Sequence, residues 1–395
     1  MDFKRQEYKL IRDRLKEPRK FIQVLTGPRQ VGKTTVVKQV LDDIDIPWLY
    51  FSADATSQPN RTWISVSWDA ARERLRREAL GEVILVIDEI QKIKGWSEIV
   101  KKEWDDDSFN DRQVKLLLLG SSRVLLQSGL SDSLAGRFEE IRMGHWRYAE
   151  MRDCFGFSLE KYLYYGGFPG AASFSNDEDR FRAYVQSAIV DATVHKDILM
   201  EAPVRKPALL EQAFILGVSY SGQILSLNKM LGSLQDAGNT VTLANYLSLL
   251  DQSGLLRGLG KFSIDASRRR ASIPKFQTYD NALKILFTPT TFQGAQLDRA
   301  LWGNIFESGI GAYIINQAFL HRFEAYYWRE GSDEVDFVLR KNGRVVAIEV
   351  KSNAQKNSRG LERFSKEFNP HKAFIVGKGW IAPEEFLATE LDGIF

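Results

Sequence analysis

The period of the apolar positions changes several times along the chain, and each change marks an element. Residues 4 to 16 carry Tyr8, Ile11 and Leu15 on one stripe, the spacing of an amphipathic helix, and Pro18 closes it. Phe21–Leu25 and Trp48–Phe51 are short apolar runs of strand length, and Ser67–Leu80 reads as a helix with Ser67 as its cap. Val83–Ile87 and Lys115–Leu119 are runs without alternation, expected of strands buried on both faces of a parallel sheet. Helical periods return at Leu159–Tyr165, Asp179–Met200, Ala208–Ser219, Leu227–Leu234 and Thr242–Ser253, with Thr240 or Thr242 as a candidate cap for the last. Extended stretches follow at 254–259 and Lys275–Tyr279. Beyond them the pattern is helix Leu301–Phe319, strands Ala325–Arg329, Glu334–Leu339 and Arg344–Lys351, helix Leu361–Phe368 and strand Ala373–Val376. Asn342-Gly343 marks a hairpin turn between the second and third of these strands.

Composition narrows this picture without redirecting it. A chain of 395 residues exceeds one compact core, and 44% apolar with 27% charged residues is a globular composition. Net charge is +3, from 54 basic and 51 acidic residues, so a nucleic-acid surface would have to be local. One cysteine, Cys154, excludes an internal disulfide, and four histidines leave no Cys/His zinc cluster. The charged N-terminal segment and the lack of a membrane-length apolar run lead to the expectation of a cytoplasmic protein with no membrane partner.

The first candidate chemistry lies between the strand at 21–25 and the helix that follows. Gly27-Pro28-Arg29-Gln30-Val31-Gly32-Lys33-Thr34-Thr35 satisfies G-x-x-x-x-G-K-[ST], a loop whose backbone amides cradle a polyphosphate. The helix N-terminus adds partial positive charge, Lys33 can reach the outer phosphates, and Thr34 can hold Mg²⁺. ATP and Mg²⁺ are therefore the expected cofactors. Asp88-Glu89 ends the third apolar run, where α/β sheets place ligands, so Asp88 is expected to order the metal and Glu89 to activate water. Ser121 follows the strand at 115–119 and can face the γ-phosphate or sit as a plain loop serine. Arg137 can stabilise transition-state charge, in cis or in trans, or form an ordinary ion pair.

A second candidate site lies near the C-terminus. Glu349 and Lys351 are two apart on one strand and share a face, and Asp336 lies on the neighbouring strand of the hairpin. Two carboxylates with a lysine suit a hard cation and phosphodiester hydrolysis, with Asp336 and Glu349 as metal ligands and Glu307 as a further acid. A structural Glu–Lys pair would have the same spacing.

LTGPRQVGKTT, LVIDEIQKI, LLLLGSSR and SLAGRFEEIRM occur in this order. Together they resemble the AAA-related ATPases of bacteria and archaea that carry a C-terminal domain of restriction-nuclease-like fold. The resemblance implies a P-loop NTPase parallel sheet with flanking helices over 1–150 and a helical lid or linker over 151–204. It further implies a winged-helix-like module over 205–290 and a PD-(D/E)XK nuclease-like α/β domain over 291–395. It also places Ser121 or Ser122 at the first sensor position. Val335 stands where that nuclease motif has proline. Between Lys196 and Lys275 there are 10 basic and 6 acidic residues, and Arg268-Arg269-Arg270 lies between the two extended stretches, so DNA is an expected partner. The same run is equally readable as a solvated loop. A homo-oligomer would be needed if Arg137 acted in trans. A nucleotide-switched scaffold with an inert nuclease fold is the competing expectation.

Overall fold

The computed structural model describes residues 3–55, 59–120, 133–199, 204–234, 239–265, 272–353 and 358–395. The chain divides between Met143 and Gly144 into two compact units. Ser121, Ser122 and the Arg268–Arg270 run fall outside the described residues.

The first unit is a five-stranded sheet. Its strands are β1 (Ile22–Thr26), β2 (Trp48–Ser52), β3 (Val83–Asp88), β4 (Val114–Gly120) and β5 (Phe138–Arg142), in the order β2-β3-β4-β1-β5. Every pair is parallel. All strand C-termini therefore open on one edge, where Thr26 aligns with Gly120 and Ser52 with Asp88. Helices α1 (Glu7–Lys16), α2 (Lys33–Asp42), α3 (Arg61–Arg77) and α4 (Trp96–Phe109) cover the faces. The unbroken apolar run of β3 serves both faces. Val83, Leu85 and Ile87 join Trp68, Trp96 and Trp104 on one side. Ile84 and Val86 join Tyr8, Ile11, Leu15, Val36 and Val40 on the other.

Helix α3 starts six residues before the cap expected at Ser67. Asn60 Oδ1 accepts from Trp63 N at 3.1 Å, while the Ser67 hydroxyl donates to Trp63 O at 2.9 Å, one turn back inside the helix. Asn239, rather than Thr240 or Thr242, likewise caps Thr240–Gln252, accepting from Thr242 N at 2.8 Å.

In the second unit, Leu159–Tyr165 is a helix capped by Ser158. The long helix expected from Asp179 is an α-helix only over Glu178–Tyr184, then widens to a π-helix over Val185–Ile198. Its buried positions Val185, Ile189 and Thr193, with Val190, Val194 and Ile198 beside them, recur every four residues. A turn wider than 3.6 residues keeps such a stripe on one side. Helices Pro207–Ser219, Leu227–Gly232 and Thr240–Gln252 lead to an antiparallel pair, β6 (Leu256–Leu259) with β7 (Lys275–Thr278). Asp298 caps the helix Arg299–His321 by accepting from Ala300 N and Leu301 N. The strands β8 (Glu324–Glu330), β9 (Asp333–Lys341), β10 (Arg344–Lys351) and β11 (Lys372–Gly377) form a sheet ordered β11-β10-β9-β8. It is antiparallel except for β10 with β11. Phe364, from helix Arg359–Phe368, covers this sheet beside Trp328, Val335 and Ala347.

Candidate functional site

The open edge of the first sheet gathers the phosphate loop and the acids of β3. Gly32 enters α2 with φ 92°, a backbone that favours glycine, and Gln30 holds φ 60°. Gly27 tolerates no side chain, because a Cβ there would stand 2.2 Å from the Met143 carbonyl oxygen. Lys33 is buried, and its ammonium donates to the Gly27 carbonyl at 2.9 Å and the Pro28 carbonyl at 2.7 Å. The Thr34 hydroxyl donates to Asp88 Oδ2 at 3.0 Å, and the Glu89 amide donates to Asp88 Oδ1 at 2.8 Å. Glu89 itself adopts φ 54°, a left-handed conformation that costs a non-glycine residue of order 1–3 kcal/mol. Gln91 donates to its Oε2. Burial raises the Glu89 pKa, while the charges of Lys33 and Arg29 act the other way.

Tyr50 was not among the residues predicted from sequence. Its hydroxyl donates to Asp88 Oδ2 at 2.6 Å, and burial together with Asp88 lifts its pKa. Tyr50 lies two before Ser52, the residue in register with Asp88, and so shares the face of Ser52, a register that only the folded sheet reveals.

These residues fit a Mg²⁺–nucleotide. The Thr34 hydroxyl and the Asp88 carboxylate already meet, which is the donor pair for the metal, and the Lys33 ammonium rests on loop carbonyls that a polyphosphate outcompetes as acceptor.

Arg137 does not join this set within one chain. Its carbonyl accepts from Ile22 N at 2.8 Å, at the start of β1, whereas the phosphate loop follows the end of that strand. A strand of this length spans on the order of 15 Å. The cis role is corrected on that ground. The guanidinium forms a two-pronged ion pair with Asp105, at 2.7 and 3.0 Å.

In the second unit Asp336 lies on β9, Glu349 and Lys351 on β10, and Glu307 on the helix Arg299–His321. Glu349 Oε1 and Lys351 Nζ are 2.6 Å apart, and Asp336 Oδ2 accepts from Val350 N at 2.8 Å. The residue that draws the acids together is Lys275 of β7, read from sequence only as part of a strand. Its ammonium is 2.7 Å from Glu307 Oε1 and 3.4 Å from both Glu334 Oε1 and Asp336 Oδ1. Lys275 is 1% exposed, and its ammonium stands 5.2 Å from the centre of the Phe337 ring. Burial works against its charge, but Glu307, Asp336 and Glu334 override it and raise its pKa. Burial pushes the carboxyls of Glu307 and Glu349 up to about 7. Among the described residues, no group of three or more histidine, cysteine or acidic side chains has metal-holding geometry. At Asp336, where a metal ligand was expected, the Lys275 ammonium stands 3.4 Å from Oδ1, in the place such an ion would take.

Residues 19–152 match the family described as an AAA domain. Residues 156–291 and 302–385 match two families described as domains of unknown function, DUF8612 and DUF4143. An uncharacterized protein of Haemophilus influenzae is 23% identical over 397 residues, spanning 95% of this chain and 92% of that protein. An uncharacterized protein of Mycobacterium tuberculosis is 26% identical over 337 residues, spanning 84% of this chain and 70% of its own length. Among solved structures, the Walker-type ATPase of Pyrococcus abyssi is similar with a TM-score of 0.49 and 14% identity, over 73% of this chain and 96% of that one. Residues 19–152 thus match an AAA-type P-loop domain, on a parallel sheet of the kind that class uses, and that match supports ATP binding and hydrolysis. Among the described residues, no helix is long and apolar enough to cross a membrane.

Proposed function

We propose that the chain is a cytoplasmic, Mg²⁺-dependent ATP hydrolase whose turnover is coupled to DNA held by residues 205–290 and 291–395. The observation that carries the hydrolase is the meeting of Thr34, Asp88 and Glu89 beside the phosphate loop. Gly27 through Thr35 wrap the phosphates with backbone amides, and Lys33 turns from the loop carbonyls to the outer phosphates. Thr34 and Asp88 would hold Mg²⁺, which would supply positive charge against the polyphosphate. Tyr50 fixes the Asp88 carboxylate by its hydroxyl. Glu89 takes the proton of the attacking water, and its raised pKa brings it closer to neutral pH as a base. Ser121 contacts the γ-phosphate, and Arg137 acts in trans from a second subunit of a homo-oligomer.

The test is Mg²⁺-dependent phosphate release from ATP, with and without duplex DNA, on wild type and Glu89→Gln. Turnover that survives Glu89→Gln sinks the mechanism, and turnover indifferent to DNA sinks the coupling. A second reading, a nucleotide-switched scaffold with an inert nuclease-like fold, is favoured by one observation: the C-terminal acids are engaged by Lys275.

A further inference from the structure

The carboxylates near the C-terminus have a cation already. We propose that the Lys275 ammonium is the resident cation of the Glu307–Glu334–Asp336–Glu349 cluster and closes it to divalent metal while β7 stays docked. The inference deepens the second reading above for this one cluster, and ATP turnover is not its readout.

Three observations support it. Position comes first. A Mg²⁺ or Mn²⁺ ion shared by Glu307 Oε1 and Asp336 Oδ1 needs oxygen contacts of about 2.1 Å, in space the ammonium fills at 2.7 and 3.4 Å from the same atoms. The second is burial. With Lys275 1% exposed, its charge is stable only because acids surround it, so the ammonium and the carboxylates hold each other in place. The third is the occupation of the remaining oxygens. Asp336 Oδ2 is tied to the Val350 amide, and Glu349 Oε1 to Lys351. Of the four oxygens of Asp336 and Glu349, Glu349 Oε2 is left, buried and without a hydrogen-bond partner. A divalent ion bridging Asp336 and Glu349, the pair expected to hold it, would have to displace the Val350 amide, Lys351 or Lys275 from three of their four oxygens. Lys275 lies on the strand paired with β6, outside the α-β-β-β-α-β segment that carries the acids, so the cation comes from a different element than its acceptors.

The experiment is calorimetric titration of the nucleotide-free full chain with Mn²⁺, on wild type, Glu349→Gln, Lys275→Met and the Lys275→Met/Glu349→Gln double variant. Wild type is expected to show no Mn²⁺ binding that Glu349→Gln removes. Lys275→Met is expected to gain one site, at least tenfold tighter than any heat seen in wild type, and the double variant to lose it. A Mn²⁺ site in wild type that Glu349→Gln abolishes overturns the proposal. So does a folded Lys275→Met chain, by circular dichroism, that binds no more Mn²⁺ than wild type. Should Lys275→Met fail to fold, the wild-type and Glu349→Gln titrations decide alone. A Glu349-dependent site overturns the proposal, and its absence upholds it.

Discussion

The phosphate loop and the C-terminal cluster use the same parts, a buried lysine and adjacent acids, with the lysine placed differently. In the first, Lys33 rests on two backbone carbonyls, and Asp88 accepts from hydroxyls and an amide. The donors to Asp88 are neutral and readily exchanged for a metal ion and its water. In the second, Lys275 stands among three carboxylates. An acid–lysine set is thus poised for chemistry when the lysine is held by neutral groups, and closed when the lysine is held by the acids themselves. Residue types do not separate the two cases; the acceptor of the ammonium does.

The comparison breaks most sharply at Glu89. Glu89→Gln should lower ATP turnover roughly 10²- to 10⁴-fold, the range of a lost general base, with nucleotide binding retained in a fluorescent-nucleotide titration. A loss under tenfold would mean these acids do not act on water.

The next largest effect is in the second unit and concerns pH. Lys284 is buried, donating to Ser221 O at 2.7 Å and to Asn304 Oδ1, and burial pulls its pKa from 10.5 down to about 8. The folded chain gives up this proton near pH 8, while the unfolded chain keeps it to about 10.5. The unfolded state binds more protons between these values, so this group makes stability rise with pH across that window. The contribution is on the order of 3 kcal/mol. Denaturant melts of wild type and Lys284→Met at pH 7.5 and 10 should show the rise only in wild type. Equal slopes would mean the buried lysine carries no such penalty.

Lys33→Ala tests whether the parked ammonium works on phosphate. Losing a hydrogen bond to a charged group costs about 1.5–3 kcal/mol, so nucleotide affinity should fall by about 10- to 100-fold. An unchanged affinity would leave Lys33 as a purely structural tie for the loop. The smallest effect is at Arg137. Its pair with Asp105 is partly exposed, and Arg137→Ala should cost under about 1 kcal/mol in a chemical melt. A cost of several kcal/mol would make it a buried anchor.

What the sequence made legible was local. Gly27 to Thr35 and Val83 to Glu89 are contiguous, and their chemistry follows from spacing on a strand and its loop. The pairing of Glu349 with Lys351 is a two-residue period and was equally plain. Lys275 was invisible because its partner Asp336 is 61 positions away, and Tyr50 because Asp88 is 38 away. No periodicity reports such meetings. The choice among the roles open to Arg137 was hidden for another reason: Gly136-Arg137 gives no hint of which end of a strand it occupies, and only the register with Ile22 sets the cis role aside. Ser67 misled because a serine hydroxyl bonds backward within a helix as readily as it caps one.

The close approach of Gly27 to Met143 has a mechanical side. Met143 N donates to Thr26 O at 2.8 Å, and its carbonyl leaves no room for a Cβ on Gly27. The last residue of the first unit is therefore buttoned to the opening of the nucleotide loop, one step beyond the pairing of β5 with β1, so a pull on Met143 bears on that opening. ATP held in the loop should stiffen the button. Optical-tweezers extension from the C-terminus would register it as a higher rupture force with nucleotide than without, and equal forces would show the two to be mechanically independent.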